Sequence, residues 1–502
     1  MGRAEACVSC YTFPTKRELA DSCVAGSTIR HHNAPKFAAM SSGSDMSARL
    51  SSTILVSLTL AGLVSPTAFA SDPADTSGMF TLDVSGYTRW RYETTDGRFR
   101  GGREGSDQAV SGRTLLTLSL DSEPVDVTVE FVDSRVYFED EGSPLSVNNV
   151  NTFDILEANA AFNLDGLMGE GRGGYLKLGR MTQTYGSRRL AGRNGYRNTI
   201  NAFTGAEWQV EGADDWSLRT FYVVPIDRFP NDRASLSDNQ QDFDEENWDQ
   251  QFWGTFLNYA PDRWNASLDL YLFGLTEQDT EDRPTADREL FTPGVRYFRA
   301  PSAGVWDFDF EYAYQFGERR AGRDDTTPML DVSASMLHAE VGYSFQTAWS
   351  PRVSLEAEWA TGDEDAADDE WGRFDPLYGL RRRDFGQTGI AGPLRRQNVQ
   401  ALGWRVSGRE GDFRFMFLHK AAWLDSESDL WRDAGLIDAS GQSGDFLGHH
   451  LDARFYYSQS STGIDWEWGT SSFVKGEFAE EAPGASTTGN TLYGYLMAIY
   501  RF

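Results

Sequence analysis

Arginine is the residue through which this chain can do chemistry. Of its 46 basic residues only Lys16, Lys36, Lys177, Lys420 and Lys475 are lysines, which leaves 41 arginines. A guanidinium offers a rigid fork that grips carboxylates and phosphates with two hydrogen bonds, whereas an ammonium is a hydrated point charge. Arg89, Arg91, Arg113, Arg135, Arg219, Arg296, Arg352, Arg405, Arg414 and Arg454 fall on the charged parity of segments that otherwise alternate apolar and polar. Acids on the same parity include Asp83, Glu130, Glu157, Glu207, Glu311, Glu356 and Glu358. Such a set can touch carboxylated solutes in confinement, or it can pair internally and hold the shape of a lumen. A genome rich in arginine codons would also give the bias.

The acids pull the other way. The formal net charge is -29, and two loop segments are acidic runs, Asp242 to Asp249 (DFDEENWD) and Asp363 to Glu370 (DEDAADDE). They oppose long-range attraction of anionic solutes. Their ligand spacing is not that of a calcium loop, so they read as solvated loops. No metal site is expected, nor any cofactor. The adjacent pair His449-His450 would point to opposite faces of a strand, and His338, inward on its strand, has no serine set beside it by a recognisable motif. No catalytic residue is expected.

Something must position these side chains, and strands do. The last stretch, Leu492 to Phe502, places Leu492, Gly494, Leu496, Ala498 and Tyr500 on one uncharged parity and ends on an aromatic residue, as the closing strand of an outer-membrane barrel does. Elsewhere Trp306, Phe308, Phe310, Tyr312, Tyr314 and Phe316 alternate with Asp307, Asp309, Glu311 and Gln315. Val353, Leu355, Ala357 and Trp359 alternate with Arg352, Glu356 and Glu358. A soluble sandwich alternates too, but its apolar face is rarely so rich in Trp, Tyr and Phe. A mean hydropathy of -0.48 is no objection, because a barrel hides its apolar residues at every second position.

About eighteen such segments follow one another, and their connections run long, short, long, short. Compact turns such as Asp121-Ser122-Glu123-Pro124, Pro261-Asp262-Arg263 and Ser458 to Gly463 separate long loops, the longest spanning 362–396. The expected fold is therefore an all-β, transmembrane, antiparallel up-and-down β-barrel of about eighteen strands with both termini periplasmic. Residues 1–45, which hold Cys7, Cys10 and Cys23, read as a non-native upstream extension. Residues 46–70 read as a signal peptide, with Ile54 to Val64 as its apolar core and Ala68-Phe69-Ala70 as the cleavage site. The barrel would occupy 71–502, with no room for an amino-terminal plug domain.

One stretch carries a resemblance. Leu178-Gly179-Arg180, then Tyr185-Gly186-Ser187-Arg188-Arg189-Leu190-Ala191-Gly192, then Phe203-Thr204-Gly205-Ala206, resembles the alginate export family of outer-membrane barrels. Met181 stands where the family has Gln, and Thr204 where it has Asp. The likeness extends to Ala360-Thr361-Gly362-Asp363, Phe374-Asp375-Pro376-Leu377-Tyr378 and Asn398. It implies an eighteen-stranded barrel with an arginine-rich lumen that passes anionic polysaccharide or related uronates. A bulge at Gly179 is expected to turn Arg180 into the lumen, and Arg188 and Arg189 are expected at or near its mouth, on a loop that folds inward, contacts ligand, or does both. Expected partners are outer-membrane lipid and lipopolysaccharide, an anionic saccharide or small anionic solute, and periplasmic export or assembly proteins. No nucleic acid is among them, and the barrel is expected to be a monomer. A general diffusion porin, or a structural or enzymatic barrel, is the competing reading.

Overall fold

The computed structural model describes residues 80–502, except 103–104, 141–142, 166–168, 170–171, 213–214 and 388–389. The upstream extension and the signal peptide lie outside the described residues. Eighteen strands form one closed sheet: β1 Thr81–Asp96, β2 Asp107–Asp121, β3 Val125–Tyr137, β4 Asn151–Asn163, β5 Gly173–Met181, β6 Phe203–Gly212, β7 Trp216–Asp227, β8 Gln250–Tyr259, β9 Ser267–Glu277, β10 Glu289–Arg299, β11 Trp306–Arg320, β12 Met329–Ser344, β13 Arg352–Ala360, β14 Val399–Glu410, β15 Phe413–Trp423, β16 Phe446–Gln459, β17 Ile464–Lys475 and β18 Thr491–Arg501. Two further two-residue pieces, Glu245–Glu246 and Glu370–Trp371, belong to loops that fold back on the ends of β7 and β12.

Each strand pairs antiparallel with its neighbours in sequence, and β1 pairs with β18 from Tyr87↔Arg501 to Asp96↔Leu492. Closure leaves no edge, the condition for a sheet to stand in hydrocarbon. At the seam the Gly86 amide donates to the Phe502 carbonyl at 2.9 Å and the Phe502 amide donates back at 3.1 Å. A Cβ on Gly86 would lie 2.9 Å from the Phe502 ring, so the bare backbone there lets the last aromatic residue close the ring of strands.

The alternation read from the sequence sorts correctly across the wall. On β11 the side chains of Trp306, Phe310, Tyr312, Tyr314 and Phe316 are exposed outward, while Asp307, Asp309, Glu311 and Gln315 are buried inside. On β18 Leu492 and Leu496 face out, and Tyr493, Tyr495 and Met497 face in. This is a barrel with a lipid-facing apolar surface and a polar interior. The connections alternate as expected. β11 and β12 stay paired out to Arg320↔Met329, which leaves eight residues for the loop between them.

Candidate functional site: the loop partition in the lumen

The lumen is crossed by two inward loops. The first, residues 182–202, starts from an aromatic anchor: Tyr185 stacks on Phe221 at 4.7 Å between centroids and packs on Phe256 and Phe273. Each of these rings is buried, and burial of such a side chain contributes about 1.5–3 kcal/mol, enough to hold the loop root inside rather than in water. The second, residues 361–398, meets it edge to edge. The Tyr378 amide donates to the Leu190 carbonyl at 3.0 Å, the Gly192 amide to the Tyr378 carbonyl at 3.3 Å, and the Leu380 amide to the Arg188 carbonyl at 2.8 Å.

Arg189 ties this partition to the wall. Its guanidinium contacts Glu311 at 2.6 Å, Asp384 at 3.0 Å and Asp309 at 3.3 Å, and it is 1% exposed. Arg396 binds the same Asp384. Against burial, which lowers it, the three carboxylates hold the Arg189 guanidinium well above its ordinary value. Arg189 is thus a strut under the loops, and Arg188, half-buried beside it with a left-handed φ of 68°, turns the chain.

The wall arginines divide by partner. Arg296 pairs with Asp309 and Asp269, Arg352 with Asp307 and Glu340, Arg405 with Glu356, Arg219 with Glu207, and Arg454 with Asp452. Arg414 keeps the inward parity of Leu418 and Lys420 and lies 4.9 Å from the Tyr456 ring centroid. Those pairs fix the shape of the lumen. On β1 and β2 the situation differs. Arg89 donates to the Gly195 carbonyl at 2.6 Å and to Asn198 Oδ1 at 2.9 Å; Arg113 donates to the Gly195 and Arg197 carbonyls at 2.7 and 2.9 Å. Arg91 reaches the Tyr196 carbonyl at 2.5 Å but also pairs with Glu93 at 2.8 Å. Among the described residues, loop residue Arg197 donates to the Thr199 carbonyl and to Asn201. Burial, and then the nearby Arg228, Arg113 and Arg381, push the Arg197 guanidinium well below its ordinary value. Among the described residues no carboxylate forms an ion pair with Arg89, Arg113 or Arg197.

Two expected lumen residues are elsewhere. Arg135 shares the parity of Phe131, not of the buried Glu130, Val132, Ser134 and Val136, and pairs with Asp133 on its own strand at 2.9 Å. The two charges neutralise each other on the outer wall near the loop rim. Arg180 also stays outside. Gly179 does adopt φ 122°, but the register runs unbroken through it, Leu178↔Ala206, Gly179↔Gly205 and Arg180↔Thr204, so no bulge re-aims the next residue. Arg180 is satisfied instead by the Ile155 carbonyl, Asp154 and the loop residue Glu246. The bulge is one strand over, where Glu130↔Glu157 is followed by Phe131↔Ile155 and Leu156 is the extra residue.

The sequence reading missed the partly exposed arginines of the two inward loops. Arg383 is 38% exposed, Arg395 33%, Arg381 24% and Arg193 23%. Their signal was the runs Arg381-Arg382-Arg383 and Arg395-Arg396 within the longest loop, which strand parity does not reach.

Residues 80–492 match the family model for alginate export. The chain belongs to the alginate export family. Its fold is shared with solved outer-membrane proteins of Pseudomonas aeruginosa: OpdQ (TM-score 0.52, 13% identity, covering 84% of this chain and 97% of that one), OccK8, also called OprE (0.52, 12%, 84% and 98%), and OccK2, also called OpdF, in complex with glucuronate (0.53, 11%, 84% and 98%). No curated protein sequence matches the chain. Family and fold together make this member an outer-membrane transport channel.

Proposed function

We propose that this channel passes anionic solutes of the uronate class, as free sugar acids or short oligomers. The carrying observation is the group Arg89, Arg113 and Arg197, whose hydrogen bonds among the described residues go to neutral acceptors. Buried charge without a counter-ion is costly, and the cost falls when an anion arrives. The half-exposed Arg193, Arg381, Arg383 and Arg395 line the approach, while their acidic partners Glu130, Glu157 and Asp433 keep the attraction weak enough for release. The glucuronate bound to OccK2 supports the same class of solute on a shared fold. A longer polysaccharide would require more room beside the two inward loops, which Arg189 ties to β11 through Asp309 and Glu311.

The test is the reversal potential of single channels under a salt gradient, repeated with added oligouronates. Anion preference and uronate block, both lost in an Arg197→Gln/Arg381→Gln variant, are expected. Cation preference without uronate block in the wild type would reject the uronate reading and leave a general porin.

A further inference from the structure

Under the partition, three strands bring like charges into direct register. Asp309 on β11 faces Glu340 on β12, and Glu340 faces Glu356 on β13; in the adjacent row Glu311 faces His338, and His338 faces Glu358. Directly opposed like charges destabilise a sheet unless a cation lies between them. Arg352 pairs with Glu340 and Lys420 with Glu356, and a histidine stands in the middle of the adjacent row. His338 is fully buried, and its Nδ1 lies 2.7 Å from Glu358 Oε1. A carboxylate only accepts, so Nδ1 carries a proton, and Nε2 is the ring nitrogen left to ligate a metal ion. That Nε2 has no hydrogen-bond partner. It points between Glu340 Oε2 at 3.9 Å and Asp309 Oδ2 at 4.0 Å.

We propose that His338 Nε2, Asp309 and Glu340 bind a divalent transition-metal ion of the zinc class. One imidazole and two carboxylates suit such an ion, whereas calcium and magnesium prefer oxygen alone. The three donor atoms lie within 4.8 Å of one another, and binding needs them to draw in by only about half an ångström for bonds of roughly 2 Å. Glu358 on Nδ1 completes the carboxylate–histidine–metal arrangement that fixes the ring and raises its basicity. Arg383 must yield, and the Arg189 and Arg296 contacts to Asp309 Oδ2 must loosen with it. The Arg383 guanidinium stands 3.6 Å from Glu340 and 3.8 Å from Asp309, and its exposure gives it room to swing away. Arg189 at 3.3 Å and an Arg296 Nη at 3.0 Å share Asp309 Oδ2 with the ion's position; Arg296 keeps its hold on Asp309 through Oδ1 at 2.7 Å, and Arg189 keeps Glu311 and Asp384. The ion would cross-link β11 and β12 beneath the loops and, through Glu358, engage β13.

The protein is purified from outer membranes, stripped with chelator and titrated with Zn2+ in detergent, each variant first being shown folded by its heat-modifiable gel mobility. One Zn2+ per chain is expected, with affinity reduced at least tenfold in His338→Gln and in Glu340→Gln, and on the order of 10- to 100-fold in Glu358→Gln. His419→Gln, which disrupts an outward pair with His449 at 3.1 Å, should leave binding unchanged. X-ray absorption of the wild type should show a single imidazole among oxygen donors, which tests the site even if a variant fails to fold. No uptake by the folded wild type, uptake unaltered in His338→Gln, or a two-imidazole spectrum would overturn the proposal.

Discussion

Arg189 and Arg197 lie on the same inward loop and carry their charge in opposite circumstances. Arg189 sits among Asp309, Glu311 and Asp384; Arg197, among the described residues, donates to neutral acceptors and has other arginines near it. Substitution should separate the two roles. Arg189→Gln leaves three buried carboxylates short of a cation, a loss of about 3–5 kcal/mol for a broken buried pair. The loops should then part from β11 while the barrel persists, giving a larger and noisier single-channel conductance. Arg197→Gln should leave conductance at its wild-type size and shift only selectivity. An unchanged trace for Arg189→Gln would remove its role as a strut. Parity in the sequence identified most inward arginines, because side-chain direction on a strand has period two. It could not tell Arg89 from Arg296, since the partner of one is a loop carbonyl and of the other acids on the two neighbouring strands. Arg180 departs from the expected bulge for a related reason: plain parity sets it beside Leu178 on the outer wall, and its partners there come from other segments. Near the rim Glu246 and Asp154 make that position affordable.

At the scale of elements, strands were legible and loop paths were not. Alternation over β11, β13 and β18 needs no tertiary information, whereas the course of residues 182–202 and 361–398 depends on contacts between segments far apart in sequence. Loop 228–249 shows what such contacts can do. Asp244 accepts from the Phe229 amide at 3.0 Å and from Asn151 at 2.7 Å. Burial, and then the neighbouring Asp154, push the Asp244 carboxyl up to about 7. A carboxyl raised in the folded state binds more protons there than in the unfolded chain, so its contribution is full at low pH and declines from about pH 4 to pH 7. Raising the pH from 5 to 8 should therefore loosen this loop, seen as faster hydrogen exchange of amides 228–249 after correction for intrinsic rates. Asp244→Asn should abolish the pH dependence. Equal corrected protection at both pH values in the wild type would contradict it.

At the scale of the whole molecule, the alternation of short turns and long loops has one geometric consequence. With an even number of strands, the chain enters β1 and leaves β18 on the same rim, the rim of short turns. In an outer-membrane barrel that rim is expected to face the periplasm, and the long loops the outside. The acidic run from Asp363 to Glu370 would then stand at the cell surface, where its exposed residues 364–370 meet the divalent cations that bridge lipopolysaccharide, while the arginines remain sheltered below the partition. This predicts a negative outer face over sheltered arginines, so anions gain little from long-range attraction and bind by local contact once inside. An epitope inserted between Asp365 and Asp369 should be stained on intact cells, and the same epitope in the turn 460–463 only after the outer membrane is permeabilised. The reverse pattern would invert the barrel and place the termini outside. Staining of both on intact cells would break the link between loop length and rim on which the orientation rests.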